Sequence, residues 1–213
     1  MKKVLILVLT AAMLISCLCG CSLLGGVKLD ELVGTWSITM EDTEEEARAL
    51  LDNIQAYEEE IALADLDSLE YVQVVKFYED KTYSFGYDAD ATWQCVYDFY
   101  AGFFANLYEN RGQLSELYGQ DMSVMTEEEF GLFYASMYGA ADLESLITGF
   151  TDDCYDYAAL SVPYETGVFK FESGDMLCKI DGEVKYERLG YDVEGNELTL
   201  TFADGREVYV KAG

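Results

Sequence analysis

The sequence predicts a mainly β chain with α insertions: an antiparallel up-and-down barrel of about eight strands, capped by a helical insertion. Three observations predict it. Short runs alternate apolar and polar residues, tight turn signals link most of them, and two long stretches between strands change to three-four spacing.

Gly34 to Met40 reads as the first strand, with Trp36, Ile38 and Met40 on one side. Leu69 to Tyr78 and Lys81 to Tyr87 form a hairpin around Glu79-Asp80, and Tyr83, Phe85 and Tyr87 share a face. After Pro163, strands are expected at Glu165 to Phe171, Asp175 to Ile180, Val184 to Tyr191, Asn196 to Phe202 and Arg206 to Lys211. Ser173-Gly174, Asp181-Gly182, Glu194-Gly195 and Asp204-Gly205 separate them, and Asp-Gly between alternating runs is a strong hairpin signal. Closing such a meander into a barrel removes exposed sheet edges.

The helical texture sits in two insertions. In the first, 43–64, Ala47, Leu50, Leu51, Ile54, Tyr57 and Ile61 trace one stripe. The second, 88–160, carries three. Trp93, Val96, Tyr97, Tyr100, Phe103, Phe104, Leu107 and Tyr108 make the longest; Phe130, Phe133, Tyr134, Met137 and Tyr138 follow a Thr126-to-Glu129 capping box; Leu143, Leu146, Ile147, Phe150 and Cys154 make the last.

The first residues carry an address. Lys2-Lys3 followed by an apolar run from Val4 to Ile15 has the layout of a secretory signal, too short for a stable spanning helix. Leu18-Cys19-Gly20-Cys21 after it resembles a bacterial lipobox, which implies lipidation at Cys21, with Cys17 after Leu14-Ile15-Ser16 as the rival acceptor. The expected organisation is a lipoprotein signal peptide at 1–20, a lipidated linker at 21–33 and the barrel with its insertions at 34–213. The expected location is the extracytoplasmic face of a bacterial cell membrane, held by an N-terminal diacylglyceryl anchor.

Composition removes several chemistries. The 213 residues include 41 acidic, 13 basic and no histidine side chains, for a net charge of -28. Without histidine there is no Ser-His-Asp or Cys-His catalysis and no imidazole metal site. So negative a chain does not suit nucleic acid, whose affinity rests on Lys and Arg neutralising phosphates. Beyond the signal segment the cysteines are Cys95, Cys154 and Cys178. A Cys95–Cys154 disulfide and three buried thiols are the alternatives.

Leu32-Val33-Gly34-Thr35-Trp36 opening the first strand resembles the G-x-W signature of lipocalin-like barrels. Phe77 to Tyr83 and the C-terminal hairpins are similar to small bacterial lipocalin-like lipoprotein domains, over roughly half the chain left after signal cleavage. The resemblance implies that Trp36 plugs the closed end beneath a basic side chain from the last strand. Lys211 stands where the family usually carries Arg, and Arg206 is at the wrong end of its strand. A plain buried aromatic is the alternative role for Trp36.

Strand parity puts the connections at 41–68 and 88–164 at one end, opposite Trp36, so the helices are expected to form a lid over the barrel mouth. Residues 41–70 hold 12 acids and one base, Arg48; residues 88–160 hold 14 acids and one base, Arg111. A rim this negative disfavours fatty acids and phosphates and favours neutral aromatic or cationic small molecules or basic peptides. Against that, acids opposite an apolar stripe also make an ordinary solvated helix face, and aromatics at helical spacing an ordinary core.

Motifs for chemistry are thin. There is no phosphate-cradling glycine loop, nucleophile elbow or zinc cysteine pair. Asp88-x-Asp90 and Asp152-Asp153 with Asp156 lack EF-hand spacing and fit helix capping better. No cofactor and no metal are expected, and the chain is read as non-enzymatic. The reading is a lipid-anchored binding protein. Trp36, Lys211, Tyr83, Phe85 and Tyr87 plug or line its barrel, and Trp93, Tyr97, Tyr100, Phe104, Phe133 and Tyr134 form the aromatic face of the cap. An envelope interaction or structural lipoprotein without a cavity is the alternative, and a carboxylate-dependent cell-wall hydrolase the third.

Overall fold

The computed structural model describes residues 29–41, 44–51, 69–154, 157–203 and 205–212. The lipidation candidates Cys21 and Cys17, and most of the 43–64 helix, lie outside them. The first half holds α1 (Leu29–Leu32), β1 (Gly34–Glu41), α2 (Glu44–Leu50), β2 (Glu70–Phe77), β3 (Thr82–Tyr87), α3 (Ala89–Glu109) and α4 (Ser115–Tyr118). Then follow α5 (Glu127–Tyr138), α6 (Leu143–Cys154), α7 (Tyr157–Leu160), β4 (Glu165–Glu172), β5 (Asp175–Ile180), β6 (Glu187–Glu194), β7 (Glu197–Thr201) and β8 (Arg206–Lys211).

The eight strands form a closed antiparallel barrel in the order β1 to β8. The chain divides into two compact units. Of the described residues, one holds those within Met40–Tyr71 and Ala89–Tyr157, and the other holds Leu29 to Thr39 and those within Val72–Asp88 and Ala158–Gly213.

In the barrel unit the alternation fills the interior. Trp36, Val75, Phe77, Tyr83, Phe85, Phe169, Met176, Leu189, Leu198, Leu200 and Tyr209 are buried together with Leu32 of α1. Their rings meet edge to face: Phe77 with Phe169 at 5.4 Å, Tyr83 with Phe85 at 5.8 Å, Phe169 with Phe171 at 5.8 Å. Such pairs add about 0.5–1.5 kcal/mol each beyond the area they bury. The β2–β3 turn is tied by Asp80, which accepts from the Thr82 amide at 3.0 Å and the Thr82 hydroxyl at 2.6 Å. Those bonds hold the Asp80 carboxyl below the usual carboxylate range.

One strand differs from the alternation reading. β6 begins at Glu187, not Val184, and runs on to Glu194. Asp181–Tyr186 form a turn and an irregular return, because Tyr186 is held outside the sheet under two cations. The ammonium groups of Lys170 and Lys179 stand 4.6 Å and 5.8 Å from its ring centroid.

The helical unit has its own core: Val96, Phe99, Tyr100, Phe103, Phe104 and Leu107 of α3, Phe130 and Tyr134 of α5, and Leu146 and Ile147 of α6. The capping box at α5 is formed, with Thr126 accepting from the Glu129 amide at 3.3 Å and Glu129 from the Thr126 amide at 2.9 Å. Arg111 serves the backbone. Its guanidinium donates to the Tyr108 carbonyl at the end of α3 and to the Met125 carbonyl ahead of α5, and lies 4.1 Å over the Tyr108 ring. No described helix is long and apolar enough to cross a membrane.

Candidate functional site

Call the end of the barrel where β1 starts the lower end. Trp36 is fully buried there, and its indole N–H donates to the Leu32 carbonyl at 2.8 Å. Lys211 is its register partner on β8, with the ammonium 4.9 Å from the indole centroid. A cation over a Trp face is electrostatically favourable, so lysine fills the position structurally without the planar stacking of arginine.

The even-numbered strands start at the upper end, and the register settles which side chains face inward there. Phe85 lies opposite Glu165, Cys178 opposite Glu187, and Leu200 opposite Glu207. The partners Phe85, Cys178 and Leu200 belong to the barrel interior. Period two therefore turns three carboxylates inward, one each from β4, β6 and β8. Gln73 and Tyr87, opposite one another on β2 and β3, complete the ring.

Hydrogen bonds knit this layer. The Tyr83 hydroxyl donates to Glu165 Oε1 at 3.0 Å. The Tyr209 hydroxyl lies 2.5 Å from Glu207 Oε2 and 3.1 Å from Gln73 Oε1, and the Gln73 amide nitrogen meets the Tyr164 hydroxyl. Tyr164 in turn packs its ring 5.5 Å from that of Tyr87. Among the described residues, the inward-facing lysine is Lys211, at the other end.

Burial acts on these groups in one direction. It pushes the Glu165 carboxyl above the usual carboxylate range, offset in part by the Tyr83 hydrogen bond. It pushes the Cys178 thiol up to about 12, with Glu165 adding to the rise. Both shifts favour the neutral form. A carboxyl raised on folding binds more protons in the folded state, so its contribution to stability declines as pH rises from the unfolded carboxylate range, about 4.3, through its folded value. Glu165→Gln keeps an acceptor for Tyr83 and removes the titration. The variant is expected to match or exceed the parent in urea midpoint at pH 7, and to lose that advantage near pH 4. A variant less stable at pH 7 than at pH 4, relative to the parent, contradicts this.

The residues singled out from the sequence fall into two groups. Trp36, Lys211, Tyr83, Phe85 and Tyr87 are brought together on the inward face of the barrel. In the helical unit Tyr100, Phe104 and Tyr134 are buried, and Phe133 packs 5.0 Å from Tyr118. Trp93 and Tyr97 stack on each other at 5.4 Å, half-buried, and Trp93 donates to Asp152. The buried stripe of α3 keeps Val96, Tyr100, Phe103, Phe104 and Leu107 and adds Phe99.

The Cys95–Cys154 disulfide is corrected: Cys95, Cys154 and Cys178 are free thiols. Cys154 Sγ lies 2.9 Å from the Tyr100 hydroxyl, and Tyr100 is well over a quarter turn around α3 from Cys95. Among the described residues no group of acids and cysteines is placed to hold a metal ion. Asp90 accepts from Tyr157 and Asp152 from Trp93, so these two acids tie helices. All the described acids of α3, α5 and α6 are exposed.

Glu165, Glu187 and Glu207 were not singled out from the sequence, although the signal was present. Each lies two residues from an inward residue of its own strand: Gly167, Leu189 and Tyr209. Compared with known proteins, the chain matches no protein-family model, no curated protein and no solved structure.

Proposed function

We propose that this chain is a lipid-anchored extracytoplasmic binding protein without catalytic activity, and that the upper end of its barrel takes a cationic or neutral aromatic small molecule, or a basic peptide. The carrying observation is the inward set Glu165, Glu187 and Glu207, beside Tyr83, Tyr87 and Tyr209, with the inward lysine at the far end. Carboxylates attract an ammonium or guanidinium, and tyrosine faces add a cation–π surface. The anchor rests on Lys2-Lys3, the apolar run and the lipobox-like Leu18 to Cys21.

A second reading has its own support. The rings of Phe77, Tyr83, Phe85, Phe169 and Phe202 pack against one another along the interior, which favours an envelope interaction or structural lipoprotein without a ligand cavity.

Native mass spectrometry of protein purified from its own cells separates the two: a retained small molecule supports binding, and a bare mass the structural reading. Titration calorimetry with phenethylamine, an aryl cation, then tests the chemistry. Glu165→Gln and Glu207→Gln are each expected to weaken it about tenfold, the scale of a charged hydrogen bond, and added salt to weaken it further. Binding that ignores salt and both variants removes the electrostatic part of the proposal. For the anchor, Cys21→Ala is expected to release the protein from membranes. Retention in the membrane pellet points to Cys17 or an uncleaved segment.

A further inference from the structure

We infer that the β5–β6 hairpin has a second, longer form in which Lys185 enters the upper end of the barrel and pairs with its inward carboxylates, and that the contact of Tyr186 with Lys170 holds that form back. The longer hairpin follows from strand register; its effect on a bound cation rests on the binding reading proposed above.

β5 and β6 pair Met176 with Leu189, Leu177 with Arg188 and Cys178 with Glu187, and there the ladder stops. β5 itself goes on. Lys179 and Ile180 stay paired with Val168 and Gly167 of β4, and the Asp181 amide donates to the Thr166 carbonyl at 2.8 Å. Lys179 and Ile180 are thus strand on one side and, among the described residues, have no register partner on the other. The residues that can supply one follow at once. Carrying the same register forward sets Tyr186 opposite Lys179 and Lys185 opposite Ile180, and leaves 181–184 as a four-residue loop, an ordinary hairpin length. The reversal is already built: the Glu183 amide donates to the Ile180 carbonyl at 3.0 Å, with Gly182 at φ 89°.

Local preference favours the longer form. Val184 and Tyr186 are strand formers kept in an irregular return, a residue choice at odds with its setting. Faces follow from period two. Cys178 and Glu187 face inward, so Ile180 and Lys185 face inward as well, while Lys179 and Tyr186 stay outside. Lys185 then stands two residues, about 7 Å, from Glu187 on the same face, within the span of a lysine stem. Glu165, two residues before Gly167 on β4, belongs to the same end. An ammonium there meets the charge that this end presents.

What opposes it lies on the outer wall. A residue opposite Lys179 is expected to meet Lys179 first. The Tyr186 ring is instead closer to the Lys170 ammonium, 4.6 Å against 5.8 Å, although Lys170 belongs to β4, one strand farther away. Tyr186 is therefore drawn across β5, and its backbone leaves the ladder with it. Lys170 also pairs with Glu172 at 2.8 Å, and Arg188 of β6 pairs with Asp175. An exposed cation–π contact is weak, so two further ladder pairs compete with it.

Nuclear magnetic resonance of the full chain reads the register directly. In the longer form Lys179 and Tyr186 make a non-hydrogen-bonded pair, whose Hα atoms lie close, and Ile180 and Lys185 a hydrogen-bonded one. In the parent the ladder is expected to end at Cys178 and Glu187. In Lys170→Gln an Hα–Hα Overhauser contact between Lys179 and Tyr186 is expected, with amide exchange at Lys185 slowed about tenfold or more. Glu172→Gln, which leaves the Lys170 charge in place, is expected to behave as the parent. Glu187→Gln added to Lys170→Gln is expected to lose part of the new protection. In calorimetry with phenethylamine, Lys170→Gln is expected to weaken binding severalfold, and Lys185→Gln added to it to restore the affinity. No Hα contact in Lys170→Gln, protection untouched by Glu187→Gln, or a loss of affinity that Lys185→Gln does not restore overturns the inference. A parent that does not bind phenethylamine sinks the binding reading alone, and the resonance measurements still decide the hairpin.

Discussion

Replacing Trp36 with Ala is expected to lower the unfolding free energy by about 3–5 kcal/mol, the range for deleting a large aromatic from a core that cannot collapse around the gap. Three contacts are lost at once: the indole is fully buried, it donates to Leu32, and it carries Lys211 over its face. The gap also removes the seat of α1, whose Leu32 is buried in the same cluster. Lys211→Met separates the terms. It keeps the stem over the ring and removes the charge, and is expected to cost about 0.5–1 kcal/mol. Urea unfolding followed by far-ultraviolet circular dichroism at fixed salt measures both. A Trp36→Ala cost below about 1 kcal/mol, within the ordinary run of single substitutions, means that the indole is not a keystone.

The second large effect is expected at Gly167. A Cβ built there falls 2.4 Å from the Lys179 carbonyl oxygen and 2.8 Å from the Tyr83 ring and hydroxyl. Tyr83 lies opposite Gly167 and passes across it to reach Glu165. Glycine marks the place where a side chain and a neighbouring strand both approach the backbone. Gly167→Ala is expected to cost about 2–3 kcal/mol or more, at the upper end for overpacking, because one overlap is with backbone that cannot rotate away. Tyr83→Ala added to it is expected to recover only part of the loss, since the carbonyl overlap remains. Full recovery in the double variant, or a single variant as stable as the parent, contradicts this assignment.

The barrel was largely legible in the alternation. β5 and β8 begin and end where the pattern places them, and β1 to β4 and β7 differ by one or two residues. β6 was misplaced because Val184 and Tyr186 continue an alternating pattern in sequence, while Tyr186 is drawn onto the outer wall by Lys170 and Lys179. Sequence pattern records which residues can share a face and is silent on a competing cation two strands away.

The upper-end carboxylates were hidden for a different reason. An acid at the first inward position of a strand reads as the polar residue that ends a turn, and only the pairing of neighbouring strands brings three of them around one ring. Likewise, helical spacing put Trp93 and Tyr97 on the same stripe as Tyr100. Burial keeps Val96, Tyr100, Phe103, Phe104 and Leu107 of that stripe, adds Phe99 and leaves Trp93 and Tyr97 half-buried, a difference at the stripe's edges that spacing cannot resolve when both sides of a helix carry rings. The Cys154 thiol meets the hydroxyl of Tyr100, far away in sequence, a partner that no count of cysteines contains.

The ring of strands is shut by its first and last members, Trp36 against Lys211 and Ser37 against Val210, with the Ala212 amide donating to the Thr35 carbonyl at 2.9 Å. Those two partners are separated by the other six strands along the chain, so all of them are made before the first strand can meet its last neighbour. A nascent chain that has not passed Arg206 has no β8, so β1 and β7 are left as unmatched borders able to recruit a strand from a neighbour. Closure therefore has to wait until β8 has been made, and the hazard of mispairing lasts until then.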